Sequence, residues 1–219
     1  MKKYFEILRK CSLFDGVEDQ HLITMLSCLG AKRASFDKKY TIFAEGAPAG
    51  YIGLLLSGSA QIIHHDYYGN RSIVSGVVPG ELFGEAFACA DVQVLPVSVV
   101  ANEPCEVLLI DRAHVLHTCS NGCEFHRRMI YNLMRDLARK NIMVYSKLEI
   151  TGKRSTREKI LAYLAYMEQQ TGKTEFDIPF DRQELADYLE VDRSGLSAEL
   201  SKLRHEGVIE CRKNHFVLL

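Results

Sequence analysis

The chain has 219 residues, 47% of them apolar and 25% charged, with a net charge of −1. This is the balance of a soluble globular protein with room for two modest domains, each able to bury a core of its own. It excludes a disordered polyelectrolyte, and no apolar run approaches the roughly 20 residues needed to cross a bilayer. The first ten residues are charged and amphipathic, unlike a secretory signal, so the expected location is the cytoplasm with no membrane partner. Seven cysteines (11, 28, 89, 105, 119, 123 and 211) are odd in number and scattered. In a reducing compartment they read as packed thiols, not a disulfide framework.

Residues 1–29 carry a helical pattern. Ile7, Leu8, Cys11, Leu13 and Phe14 recur near helical spacing, and a second segment places Leu22, Met25, Leu26 and Leu29 together after a break at 15–18. From residue 31 to 111 the pattern changes to short apolar runs separated by Gly, Pro, Asn and Asp. Examples are IFAEGAPAG (42–50), YIGLLLSGSAQII (51–63) and IVSGVVPGELFG (73–84). Turn signals about every ten residues predict a compact all-β unit, with a hairpin turn at Tyr68-Gly69-Asn70.

From 113 to 150 there is no proline, and the spacing predicts a short helix followed by a long one. Ile130, Met134, Leu137, Asn141, Val144 and Leu148 are separated by 4, 3, 4, 3 and 4 residues. That is a heptad seam over nearly three heptads, as in a helix that pairs with a second copy. An Asn within such a seam fixes register and favours a parallel dimer. The alternative is a helix packed against its own domain. The segment TGKRST (151–156) reads as a hinge, and a second helical pattern follows at 159–169.

Residues 180–209, FDRQELADYLEVDRSGLSAELSKLRHEGVI, are the most informative. Asp181 with Glu184 makes a capping box. Leu185, Ala186 and Leu189 form one apolar face, with Ala186 small where a second helix must approach. Glu190, Val191 and Asp192 fit the turn of a helix-turn-helix, and Asp192 caps a second helix over 193–205. Leu196, Leu200 and Leu203 face inward. Arg193, Ser194, Ser197, Ala198, Ser201 and Lys202 are left outward, a small hydroxylic face led by an arginine that suits a major groove. Gly207 ends the helix, and two short strands around Lys213-Asn214 complete a winged helix. Arg182, Arg204, His205, Arg212, Lys213 and His215 are placed to meet phosphates. Residues 151–219 hold 11 Lys and Arg against 12 Asp and Glu, so any affinity for DNA has to come from local clustering of charge.

On these features the chain resembles the cyclic AMP receptor protein and fumarate–nitrate reductase regulator (CRP/FNR) family. The resemblance rests on IFAEGAPAGYIGLLLSGSAQI (42–62), PGELFGEAF (79–87), the heptad helix and RQELADYLEVDRSGLSAELSKLRHEGVI (182–209). It implies an α+β chain: a cyclic-nucleotide-binding-like, jelly-roll-like β-roll (1–123), a dimerisation helix (124–150) and a winged helix-turn-helix (151–219). It further implies an effector bound between the roll and the long helix, double-stranded DNA and a second copy as partners, and RNA polymerase as a further candidate.

In family members that bind cyclic AMP, a Gly-Glu pair meets the ribose and an Arg-Ser pair meets the cyclic phosphate. Gly84 and Glu85 match the first pair. Leu95 and Pro96 stand where Arg and Ser would be, and no arginine occurs between Arg71 and Arg112. A buried phosphate would lack a cationic partner, so the expected effector is an unidentified small molecule other than cyclic AMP. Phe83, Gly84, Glu85, Ala86, Phe87 and Leu95 are the expected lining, suited to an apolar or aromatic ligand. No metal site is expected and no cofactor is assigned; haem is left open, with His64, His65 and His126 as the candidate ligands and a solvent-facing or hydrogen-bonded histidine as the alternative. The clustered N-terminal cysteines of iron–sulfur members are absent, and Cys119 and Cys123, spaced as neighbours on a helix, are only two ligands. Family members commonly carry a second arginine four residues after the position of Ser194, and here that residue is Ala198.

Two rival readings have discriminating features. A cupin-like enzyme would need converging ligands, but His64 and His65 are adjacent on a strand and point to opposite faces. A dimeric scaffold that has lost DNA binding, or a small-molecule-binding protein, would fit the neutral C-terminal region and Ala198.

Overall fold

The computed structural model describes residues 4–116 and 124–219. Cys119 and Cys123 lie outside the described residues. The chain clusters into two compact units. The first comprises residues up to His65 together with Val74–Lys140, and the second comprises Asp66–Ile73 with Asn141–Leu219.

The first unit is built on two four-stranded antiparallel sheets. One has the order β1 (Lys32–Phe36), β8 (Cys105–Asp111), β3 (Tyr51–Ser57), β6 (Leu82–Phe83). The other has the order β2 (Thr41–Phe43), β7 (Ser98–Ala101), β4 (Ala60–His65), β5 (Arg71–Val77). Strand β3 shows why YIGLLLS reads as a continuous apolar run. Leu54 and Leu56 join a core formed with α1 (Phe5–Lys10), α2 (Asp19–Cys28) and residues of α5 (Glu124–Thr151). Leu55 joins a core with Val99, Ala101 and Phe83. A strand buried on both faces has no polar alternation to show. The two helical patterns of the N-terminus are present, with a 3-10 turn at Ser12–Phe14 between them.

A short helix that periodicity missed, α3 (Glu85–Cys89), interrupts the strands. Gly84 precedes it at φ 77°, a backbone region that favours glycine, and an added Cβ would sit 2.8 Å from the Phe43 ring. The hairpin at Tyr68-Gly69-Asn70 forms as expected. Asp66 Oδ1 accepts from the backbone N–H groups of Tyr68 and Asn70, both at 2.8 Å, so a side chain organises the turn. Helix α4 (Arg112–Leu116) precedes the undescribed stretch.

The second unit contains α6 (Thr156–Thr171), α7 (Arg182–Leu189) and α8 (Arg193–His205). Ser155 and Glu158 form a capping box that opens α6 inside the predicted hinge, which shortens the break between α5 and α6 to residues 152–155. The C-terminal strands β10 (Ile209–Arg212) and β11 (His215–Leu218) pair as expected. A third strand, β9 (Glu175–Asp177), adds to the edge of β11 and was not visible in the sequence. It has three residues, too few for a periodic signal. Leu196, Leu200 and Leu203 of α8 are buried with Leu185, Ala186 and Leu189 of α7, as their spacing requires.

The packing of Phe83 gives a direct test. A Cβ on Gly53 would lie 2.1–2.6 Å from the Phe83 ring, and Phe83 is completely buried. Gly53→Ala should destabilise the protein by about 2–3 kcal/mol, the cost of overpacking a filled core. Urea unfolding checks this, and a midpoint equal to wild type would contradict it.

Candidate effector and nucleic-acid sites

The residues expected to line an effector pocket lie around β6 and α3, but they are largely self-occupied. Phe83 is core, its ring tilted against that of Phe43 with centroids 5.1 Å apart. Leu95 is also buried, and its backbone exchanges 2.8 Å hydrogen bonds with the Gly46–Ala47 segment. Phe87 is half-buried, and Ala86 points to solvent. The hydrophobic Leu95 therefore occupies space where the resemblance implies a cationic fork.

Glu85 is the exception among them, a carboxylate only 3% exposed. Lys140, from α5, reaches it. Its Nζ donates to Glu85 Oε1 at 2.7 Å and to the carbonyl of Leu82 at 2.7 Å, and lies 3.1 Å from Asp136 Oδ2. Asp136 Oδ1 in turn accepts from Ser12 Oγ at 2.7 Å. Burial by itself would lower the lysine's pKa, but Glu85 and Asp136 together outweigh it and hold Lys140 above its ordinary value. The stability this adds is complete below the ordinary lysine pKa of 10.5 and is lost only as pH rises through the raised value. Glu85 Oε2 is buried with no hydrogen-bond partner among the described residues. Lys140 gave no signal in the sequence, because its importance comes from a partner 55 positions away.

Helix α5 exposes Ile130, Met134, Asn141, Val144 and Leu148 from the predicted seam, and also Tyr131, Ile142 and Tyr145. Leu137 is the departure. It is partly buried against the core of the first unit, beside Met129 and Leu133, which are fully inside. Asn132 explains why that face turns inward: its Nδ2 donates to the carbonyls of Leu13 and Asp15. One helix thus serves two surfaces, and a 3.5-residue count alone could not assign Leu137 between them.

In the second unit, Asp181 and Glu184 form the predicted capping box of α7. Asp192 caps α8 by accepting from the Gly195 N–H at 2.9 Å and from the Ser194 hydroxyl. Those bonds hold the Asp192 carboxyl below its usual pKa, so the cap persists at neutral pH and weakens only on acidification. Arg193, Ser194, Ser197, Ala198, Ser201 and Lys202 are all exposed. Ser197 and Ser201 return their hydroxyls to the carbonyls four residues earlier, at 2.9 and 3.0 Å.

The acids nearby are engaged elsewhere. Glu199 and Glu206 both pair with Arg157 of α6, Asp187 lies 3.5 Å from Arg71, and Glu190 accepts from Ser72. Arg157 is a residue that sequence reasoning missed. It neutralises the two carboxylates of the α8 segment from behind. Lys202 shares Glu199, at 3.2 Å. Arg182 is half-buried, with its guanidinium 5.3 Å over the Phe216 ring and 3.5 Å from Cys211 Sγ, so it braces the wing from inside. Arg212 and Lys213 are exposed at the turn of the wing. Between α8 and the wing lies a groove of about 820 Å³, lined by Ser201, Arg204, His205 and Arg212 among others. His215 borders it, held between Asp177 and Glu175 at 3.0 and 3.3 Å.

Among the described residues no three His, Cys, Asp or Glu side chains come together to hold a metal, and no helix is long and apolar enough to cross a membrane. His126 is buried and spends its Nε2 on the carbonyl of Val115, 3.1 Å away. Cys11 is buried, and burial pushes its thiol up to about 12.

A double-sheet roll with a long helix is joined in sequence to a capped, winged helix-turn-helix, the architecture of a DNA-binding regulator. The model of the cyclic nucleotide-binding domain matches residues 33–121, and that of the Crp-like helix-turn-helix domain matches 158–219. A CRP-like cAMP-activated global transcriptional regulator of Mycobacterium tuberculosis is 23% identical over 206 residues, 93% of this chain and 90% of the relative. The transcriptional activator FnrL of Cereibacter sphaeroides is 22% identical, over 84% of this chain and 75% of the relative. Among solved structures, the c-di-GMP-responsive global regulator CLP of Xanthomonas campestris has the same fold. Its TM-score is 0.75 at 20% identity, covering 91% of this chain and 99% of the other. The chain belongs to the CRP/FNR family of transcription regulators.

The Lys140 contacts generate a prediction. Lys140→Met would leave two carboxylates without their cation and should cost about 2–4 kcal/mol, less than a fully enclosed pair because Lys140 keeps some solvent access. Adding Glu85→Gln should recover a large part of that loss. Thermal or urea unfolding of the two variants checks it, and losses that simply add would contradict the coupling.

Proposed function

We propose that this protein acts as a homodimer in which exposed residues of α5 form the seam and two copies of α8 enter successive major grooves of a pseudo-palindromic site. The observation that carries the reading is the outward face of α8. It presents Arg193, Ser194, Ser197 and Ser201 to solvent while Arg157 neutralises the acids behind it. Arg193 is the principal base-reading group, suited to a bidentate contact with guanine. Lys202, Arg212 and Lys213 meet phosphates, and Arg182 supports the wing from within. RNA polymerase is a further candidate partner. The domain division follows the sequence reading: sensor at 1–123, dimer helix at 124–150, DNA-binding domain at 151–219. Regulation, with no catalytic role, is the activity.

Ile130, Met134, Asn141, Val144 and Leu148 supply the dimer seam, joined by Tyr131, Ile142 and Tyr145. These large side chains are otherwise left in water, and Leu137 supports them from the core side. The effector acts at Gly84–Glu85. A ligand entering there has to displace Lys140 or part the Phe83 and Leu95 packing, and either change reaches α5 directly. It shifts the balance of states by as much as it prefers one over the other. The M. tuberculosis relative is described as cAMP-activated. Here Leu95 replaces the phosphate-binding cation, so cyclic AMP is not the effector.

Competition binding tests this. Arg193→Ala should remove about 1–3 kcal/mol of preference for the cognate site over random DNA, while the dimer stays intact by sedimentation. Millimolar cyclic AMP should leave both the DNA affinity and the thermal midpoint unchanged. Unaltered specificity in the variant would sink the assignment of Arg193. Absence of DNA binding even at low salt would favour a dimeric scaffold.

A further inference from the structure

Positive charge clusters in a groove of the first unit, outside residues 151–219. The groove runs between the end of α1, the 3-10 turn after it and the first half of α5, all within the first unit. It has two lobes, of about 200 and 450 Å³, which share Asp15, Asn132 and Arg135. Arg9, Lys10, Arg135 and Arg139 line the smaller lobe, and Arg127, Arg128 and Arg135 line the larger. Asp15 is the one acid in either lining.

The cations are not used up by the fold. Arg9 pairs with Asp19, Arg135 lies 3.4 Å from Asp15, and Arg128 donates to the carbonyl of Gly16. Lys10, Arg127 and Arg139 make no ion pair or hydrogen bond among the described residues. The scaffold beneath them is rigid. Asn132 is buried and ties the Leu13 and Asp15 carbonyls to α5, so the two walls are held at fixed separation. Five guanidinium groups on fixed walls suit planar, bidentate recognition of phosphate oxygens. A concave surface of one sign also concentrates the field on an anion.

We propose that this groove binds a small anion carrying two or more linked phosphate groups, either an inorganic polyphosphate or the phosphate end of a nucleotide. The proposal goes beyond the regulator reading and does not depend on the contacts of α8. A single phosphate would leave most of the cations unmatched, whereas linked phosphates can engage both lobes across Arg135. Because the same helix exposes Ile130 and Met134, a ligand here would lie next to the proposed dimer seam.

Isothermal titration of the full-length protein at about 50 mM salt, where exposed charges are only partly screened, provides the test. The probes are pyrophosphate, GDP and guanosine. Pyrophosphate and GDP are expected to bind at one per protomer, and guanosine not at all. GDP binding more tightly than pyrophosphate would assign the site to nucleotides, and equal affinity would assign it to the phosphate chain itself. Lys10→Glu with Arg139→Glu should weaken binding at least about tenfold, and Arg139→Gln alone should weaken it measurably. An unchanged thermal midpoint without ligand verifies that these exposed changes leave the fold intact. Arg193→Ala, on the DNA-reading helix, should leave binding unaltered. Absence of saturable binding by either phosphate probe would overturn the proposal. So would full affinity in the charge-reversed protein, or loss of binding in Arg193→Ala.

Discussion

The buried ion pair between Lys140 and Glu85 is the constraint on which the sensor half depends. A carboxylate almost sealed from water is costly unless it is matched, and Lys140 is the group that matches it. To do so, α5 has to lie with the face of Met129, Asn132, Leu133 and Asp136 turned to the roll. That rotation fixes which residues remain outward, and those are the apolar side chains available for a second copy. The ion pair thus orients the face proposed for dimerisation as well as the interior of the first unit. It also occupies the position at which the family resemblance implies a nucleotide ribose.

The same economy of charge governs the second unit. Its composition argues against DNA binding, yet its geometry does not. Arg157 collects Glu199 and Glu206, the capping boxes consume Glu158 and Glu184, and Asp187 and Glu190 have partners of their own. What is left exposed on α8 is two arginines, three serines, a glycine, an alanine, a lysine and a histidine. The outward face of α8 carries cations and hydroxyls while Glu199 and Glu206 are paired with Arg157.

Much of the fold was legible because local rules and tertiary structure agreed. The capping residues Asp181 and Asp192, the buried leucines of α7 and α8, the end of α8 at Gly207 and the succession of short strands all follow from patterns within a few residues. The candidate sites were legible where function also depends on local sequence, as in α8. They were less legible in the sensor. Phe83 and Leu95 read as pocket lining because an apolar residue in a binding motif looks the same as one in a core. Only the tilted contact with Phe43 and the close approach of Gly53 make Phe83 a packing residue.

By itself the sequence determined the order of roll, long helix and helix-turn-helix, the placement of that motif at 181–205, and the lack of an arginine between Arg71 and Arg112. These are properties of spacing and residue type. The tertiary structure alone decided that Leu137 supports the core, that β9 completes the wing, that Arg157 silences the acids of the α8 segment and that Lys140 answers Glu85. Each of those depends on a partner well over a dozen residues away, and no periodicity along the chain carries information about such a pairing.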